Sequence, residues 1–356
     1  MTADDSSLSR DPLFSICIPQ HNRTSFLLEA LESYRQQDFN DFELCISDDC
    51  STDGRGAEIE DFLRNSGMRY RFQRRASNGR YDKNLRSSID LASGRYCLLM
   101  GNDDLLVHRG VLGSLASTIE SSGWPAVIVT NYRELSTGKE YRRIAATAIR
   151  GAGPEVAARN FRNYAFVSGV AIERSRAVAH ATDRWDGSEM YQMYLATRTI
   201  AAGGALLGIA DVMVGKDIQI PGEAVASFAT RPREKGWPMR ALTLPLTIYG
   251  RVAADAVRPY LSPDNCEAPI RSIFEQFVVF TYPPWILEYR RRHSWFSALG
   301  LCLGMRPRSI LGDTKVGLLS RWYLAFVYLI VTAAGLTLPI RLFDAMKERL
   351  HALAKA

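Results

Sequence analysis

LFSICIPQHNRTS (13–25), FELCISDDCSTDG (42–54) and YCLLMGNDDLL (96–106) are the stretches whose reading decides the fold. Each opens as a short apolar run with β-branched or aromatic residues and stops at a polar or acidic cluster. Between the first two lies a segment with Phe26, Leu27, Ala30, Leu31 and Tyr34 at helical spacing. Residues 58–63 repeat that pattern, and residues 82–92 place Leu85, Ile89 and Ala92 on one face before Gly94 stops them. Further strands are expected over 69–73 and over AVIVT (126–130). Strands alternating with helices predict an α/β fold, a mostly parallel sheet covered by helices.

In such a sheet, ligands bind at the carboxyl ends of the strands. The residues found there are Pro19, His21, Asn22 and Arg23 after the first strand, Asp48 and Asp49 after the second, and Asn102, Asp103 and Asp104 after the third. Neighbouring carboxylates repel unless a cation or ligand gathers them. Hard oxygen donors on a short turn suit Mg²⁺ or Mn²⁺, which also accept substrate phosphates. A solvated turn accounts for one acidic pair alone. Two pairs at one sheet edge are better explained by a site.

SICIPQHNR, ISDDCSTDG, NGRYDKNLRSSIDLASGRY (78–96) and LLMGNDDLL stand in an order and spacing that resemble the family 2 glycosyltransferases of the GT-A fold. The form GNDD resembles the bacterial surface-polysaccharide and O-antigen branch, abequosyltransferases among them. The likeness is strong over residues 13–110 and weaker to about 220. It implies an inverting transferase that uses a nucleoside-diphosphate sugar, UDP first, with a divalent cation, Mg²⁺ or Mn²⁺.

The resemblance also implies roles. Pro19, His21, Asn22 and Arg23 match the segment that holds the nucleotide, with His21 where the family commonly has Tyr. Asp48 and Asp49 match the acidic pair at the base or ribose, and Asn78, Asn84 and Asn102 frame the donor pocket. Asp103, followed by Asp104, matches the metal position of the family's D-x-D motif. Gly101 stands where that motif has its first Asp, so only the distal carboxylate is kept. The general base is expected in DRWDGSEMYQ (183–192), where Glu189 is the first choice and Asp186 the second. A carboxylate at a helix start also serves as a cap, so Glu189 has a structural reading too.

The chain has 356 residues, 47% hydrophobic and 23% charged. That composition excludes disorder, collagen and a small disulfide scaffold. Six cysteines show no CxxC spacing, and Cys17, Cys45 and Cys97 sit in strand-like runs, so buried reduced thiols are expected. A dinucleotide oxidoreductase requires GxGxxG after the first strand, and PQHNRTS holds no glycine. The expected division is a 1–12 tail, a 13–221 catalytic domain split at 130, and a helical 222–356 region.

The net charge of +6 is uneven. Residues 222–356 hold 18 Lys and Arg against 10 Asp and Glu, a net of +8; residues 1–221 hold 26 against 28. WYLAFVYLIVTAAGLTLPI (322–340) carries no charge and lies between Arg321 and Arg341. The basic flanks and boundary aromatics point to a membrane surface rather than nucleic acid. A core or oligomer-interface helix is the other reading. Arg231, Arg233 and Lys235 form a basic cluster suited to a diphosphate, or a solvated linker. MTADDSSLSRDP lacks a signal-peptide pattern, so the expected location is the cytoplasm, at the inner face of the plasma membrane. The expected partners are a nucleotide sugar and a glycan acceptor, lipid-linked given the tail. A non-catalytic nucleotide-sugar-binding or scaffold protein is the alternative.

Overall fold

The computed structural model describes residues 11–223, 240–262 and 267–342. Arg231, Arg233, Lys235 and Cys266 lie outside them. By the grouping of its contacts the chain divides into two units. The first takes residues up to 151, 164–186 and 204–225; the second takes 152–163, 187–203 and everything from 226 onward. The expected boundary at 221 falls near the last of these crossings, and the two internal excursions are additional to it.

The first unit opens with β1 (Phe14–Gln20), α1 (Thr24–Arg35), β2 (Phe42–Asp48), α2 (Gly56–Asn65), β3 (Arg69–Arg74), α3 (Arg80–Asp90) and β4 (Tyr96–Leu99). All of these were expected, with ends shifted by a few residues. β1 and β2 are buried at every position, which is why they read as continuous apolar runs rather than as alternation. β3 is mostly exposed and carries Arg69, Arg71 and Arg74, as suits an edge strand. β5 (Leu105–Leu106), α4 (Val111–Ser121), β6 (Val127–Glu134), β7 (Glu140–Tyr141) and β8 (Ala148–Gly151) follow.

The second unit takes α5 (Pro154–Asn160), and the first resumes with β9 (Val170–Glu173) and α6 (Arg174–Ala179). α7 (Tyr191–Ala201) belongs to the second unit, and β10 (Leu206–Lys216) to the first. One sheet runs β3-β2-β1-β4-β9-β6-β10-β5, with β7 and β8 paired to β6 and β10. β3, β2, β1 and β4 pair in parallel, as do β6 and β10, while β9 runs antiparallel between β4 and β6. The sheet is thus mixed, with its β3-β2-β1-β4 half parallel. Cys17, Cys45 and Cys97 lie buried on β1, β2 and β4 as free thiols.

The remainder of the second unit is helical: α8 (Arg240–Val257), α9 (Glu267–Gln276), α10 (Tyr282–Arg292), α11 (Trp295–Gly304), α12 (Pro307–Leu311) and α13 (Leu318–Thr337). A single π-turn, Phe277–Thr281, joins α9 to α10.

Candidate active site

The site is built where β1, β2 and β4 end, together with the end of β10. Four non-glycine residues take left-handed backbone at these ends: Asn22 and Arg23 after β1, Cys50 after β2 and Asp217 after β10, with φ between 52° and 59°. Such conformations are uncommon outside glycine and gather where geometry is dictated by function.

Gln20 is the hub. Asn102 Nδ2 donates to Gln20 Oε1 at 2.7 Å, and Gln20 Nε2 donates to Asn22 O. Asn84 Nδ2 reaches Gln20 O at 2.9 Å, and Asp49 N reaches the same carbonyl at 2.8 Å. The ends of β1, β2, α3 and the β4 turn are thereby tied to one residue, which sequence reasoning passed over. Asn84 sits buried beneath this junction.

Asp48 is buried and accepts from Ser51 Oγ and, at 3.3 Å, from Ser51 N; Arg74 Nε stands 3.5 Å away. Asp49 is also buried, with Oδ1 accepting from Gly79 N at 2.7 Å and lying 3.4 Å from Arg75 Nε. The exposed His21 ring holds Nδ1 3.1 Å from Asp49 O, and Asn78 Nδ2 lies 3.4 Å from its Nε2. Asn22 N donates to Ser51 Oγ at 2.7 Å, and its side-chain oxygen accepts from Thr52 N at 2.7 Å. His21, Asn22, Asp49 and Asn78 therefore share one neighbourhood, and Pro19 lies on β1 two residues before His21.

Asp103, Asp104 and Asp217 bring one carboxylate oxygen each within 4.8 Å of one another. Asp217 was missed by sequence reasoning; it supplies the third carboxylate that Gly101 does not. An ideal Cβ on Gly101 would lie 2.9 Å from Asp104 Oδ2 and 3.0 Å from Asp103 Oδ1, so the position is kept small. Asp104 is buried, and Ser168 Oγ and Asp217 N donate to its two oxygens. Burial first, then the Asp103 charge, push its carboxyl up to about 8 against those hydrogen bonds. Ser168 is fixed by Arg143, whose guanidinium donates to Thr130 O, Phe166 O and Ser168 O at 2.8–2.9 Å. Burial lowers the Arg143 guanidinium to about 10.

Arg23 caps this group. Its Nη1 bonds Asp103 Oδ2 at 2.9 Å and its guanidinium lies 4.5 Å over the Phe26 ring. Its Nε and Nη2 are buried and find no acceptor among the described residues. Two buried guanidinium donors left unsatisfied are costly without a ligand. The donor set around it fits a hard divalent cation: carboxylate oxygens on short turns, with Lys216 paired to Asp217.

The two candidate bases fall in different units. Asp186, in the first, takes two hydrogen bonds from Arg86 at 2.9 and 2.8 Å. Glu189, in the second, is half-buried with φ 60° just before α7, whose N-cap is Met190.

Comparison with known proteins agrees with this geometry. Residues 15–184 match the family "Glycosyl transferase family 2". Abequosyltransferase RfbV of Salmonella typhimurium is 42% identical over 96 residues, which are 26% of this chain and 29% of that protein. The matched stretch thus spans under a third of that curated relative. Staphylococcus aureus TarS 1–349, solved with UDP-GlcNAc, superposes with a TM-score of 0.54 at 15% identity over 90% of both chains. The mannosyltransferase PcManGT of Pyrobaculum calidifontis, solved with GDP-Man and Mn²⁺, gives 0.52 at 13% identity over 98% of this chain and 86% of that one. The fold is GT-A, and residues 15–184 are similar to glycosyl transferase family 2.

Proposed function

We propose that the protein is an inverting glycosyltransferase that moves a sugar from a nucleoside-diphosphate sugar to a hydroxyl of a growing bacterial surface glycan. The observation that carries this reading is Arg23, whose buried Nε and Nη2 find no acceptor among the described residues, beside three gathered carboxylates. A diphosphate chelating a cation answers both the positive and the negative half of that arrangement.

In this reading the Asp49 Oδ2 accepts from the base or ribose, with His21 packed beside it. Arg23 binds the diphosphate and stabilises charge as the leaving group forms. A divalent cation at Asp103, Asp104 and Asp217 supplies further positive charge to the diphosphate oxygens when bound. The bond from the anomeric carbon to the diphosphate breaks as the bond to the acceptor oxygen forms, with inversion at that carbon. Glu189 takes the hydroxyl proton. Asp186 is the second choice, since both its carboxylate oxygens are already engaged by Arg86. UDP is the first candidate for the nucleotide; similar folds bound to UDP-GlcNAc and to GDP-Man leave the base to the test. The apolar, basic C-terminal region supports a lipid-linked acceptor reached at the inner face of the plasma membrane.

The test is nucleoside diphosphate release from a panel of nucleotide sugars, with and without Mn²⁺ or Mg²⁺, for wild type and Asp103→Ala. Cation-dependent release from one donor, lost in the variant, is expected. Failure of every donor to bind or react would move a non-catalytic scaffold to the front.

A further inference from the structure

α13 carries two opposite faces. Ser320, Leu324, Tyr328 and Gly335 are buried along one side. On the other, Leu319 is 86% exposed, Trp322 69%, Phe326 63% and Leu329 63%, with Leu318 and Ile330 beside them. Trp295 and Phe296 of α11 are exposed as well. A stripe of this size on a single face marks a docking surface.

α13 has the length and apolarity to cross a bilayer: 20 residues, about 30 Å. What lies beside it argues otherwise. The α9–α10 helix runs parallel to α13 along its whole length. Gly317 N donates to Glu267 Oε1 at 3.1 Å, and Tyr323 Oη to Glu275 Oε1 at 2.6 Å. Farther along, Tyr282 Oη meets Thr332 Oγ1 at 3.0 Å, and Arg290 Nη1 donates to Gly335 O and Leu338 O at 2.7 and 2.8 Å. The packing is close: a Cβ on Gly335 would meet Ile286 Cδ1 at 2.7 Å.

This companion helix is uncharged only over residues 276–287, between Glu275 and Glu288. Twelve residues rise about 18 Å, far short of a hydrocarbon core of about 30 Å. If α13 crossed, it would draw Arg271 and Glu275, or Glu288 and Arg290, into that core. Lying flat, it keeps them on the aqueous side while its own outward face reaches lipid.

Charge names the lipid. Residues 290–341 hold eight Arg and Lys against Asp313 alone. Lys315 and Arg321 stand exposed at one end of α13 and Arg341 beyond the other, with Arg291 and Arg292 next to Trp295. Such flanks attract an anionic surface, and Trp and Tyr settle at its headgroup level.

We infer that α13 lies in the plane of the membrane, its outward apolar face sunk into one leaflet of an anionic bilayer. This deepens the membrane attachment proposed above and rests on it.

Two measurements on the full chain test the inference. In the first, the chain is pelleted with phosphatidylcholine vesicles containing phosphatidylglycerol. Binding is expected, about tenfold weaker on phosphatidylcholine alone. The variant Trp322→Glu/Phe326→Glu should bind at least about tenfold more weakly with an unchanged unfolding temperature, because both side chains are exposed. In the second, Leu319→Cys and Ile340→Cys are treated with an impermeant maleimide in intact spheroplasts, and both should stay protected. Labelling of one end from outside means a crossing helix and overturns the inference. So does a wild type that ignores the anionic vesicles, or a double variant that binds them like wild type. A double variant that falls from dimer to monomer with its vesicle binding intact overturns it too, in favour of a second copy on that face. Nucleoside diphosphate release from the same samples reads the transferase proposal independently of all these outcomes.

Discussion

At the scale of single residues, the site depends on a missing side chain. Gly101 leaves the space that Asp103, Asp104 and Ser168 fill. Restoring the family's first carboxylate with Gly101→Asp should therefore not strengthen cation binding. It should displace Asp104 and weaken Mn²⁺ binding at least about tenfold, read by calorimetry, since it adds buried negative charge beside a carboxyl already hard to ionise. Arg23 makes the complementary case. Arg23→Lys keeps the charge but loses the fork, so it should raise the donor KM, and Arg23→Ala should cost about 2 kcal/mol of transition-state stabilisation in kcat/KM. Equal kinetics for wild type and Arg23→Ala would remove the diphosphate role. Asp103 was legible because an acidic turn directly follows an apolar run. Asp217 was not, because it follows β10, a strand that had not been read. Nor was Gln20, a neutral residue whose importance comes from Asp49, Asn84 and Asn102, three partners distant in sequence.

At the scale of elements, the parallel half of the sheet was legible, since its fully buried strands and amphipathic helices carry unambiguous periods. β10 was not. LLGIADVMVGK puts Asp211 in the middle of the run, and its pairing with β6 shifts register between Gly208 and Val214. β9 begins at Val170, and Ser168 just ahead of it donates its hydroxyl to Asp104. The end of the sheet away from the site has its own anchor. Glu43 on β2 is buried and accepts from Ser15 Oγ on β1 at 2.6 Å, and from Ser93 N and Oγ ahead of β4 at 2.6 and 2.8 Å. Burial raises its carboxyl, but the Ser15 and Ser93 hydrogen bonds and the Arg71 charge outweigh it, and the net shift is downward. A depressed carboxyl binds fewer protons folded than unfolded. Its stabilisation is therefore present above the unfolded value near 4.5 and is lost as pH falls through the folded value. Glu43→Gln should lower stability by about 1–3 kcal/mol at neutral pH and flatten the acid limb of the stability curve. Chemical denaturation at pH 7 and at pH 4 checks both; parallel losses at the two pH values would contradict the assignment.

At the scale of the whole molecule, the charge asymmetry and the helical C-terminal region were legible from composition, but the way the chain is shared between units was not. Residues 152–163 and 187–203 sit in the middle of the sequence that builds the sheet, yet they group with the C-terminal helices. The physical reason lies in α5 and α7. α7 is buried at ten of its eleven positions, from Tyr191 to Ala201. Its neighbours within that unit are α5 and α8, and α5 packs in turn on α9. A helix buried on every side cannot end at a solvent-facing domain surface. Cutting the chain after residue 222, at the boundary its composition suggests, would strip α5 and α7 of α8 and α9. That would expose Val156, Met193, Leu195 and Ile200, each worth about 1.5–3 kcal/mol of burial. The fragment 1–222 is therefore expected to aggregate or to lose cooperative unfolding, even though it holds every strand of the sheet. A chain ending at residue 342 keeps every described element and should unfold at the same temperature as the full length. Size-exclusion chromatography with a thermal melt of both separates the cases. A monomeric 1–222 fragment with a sharp transition would mean that α5 and α7 do not need α8 and α9 to stay buried.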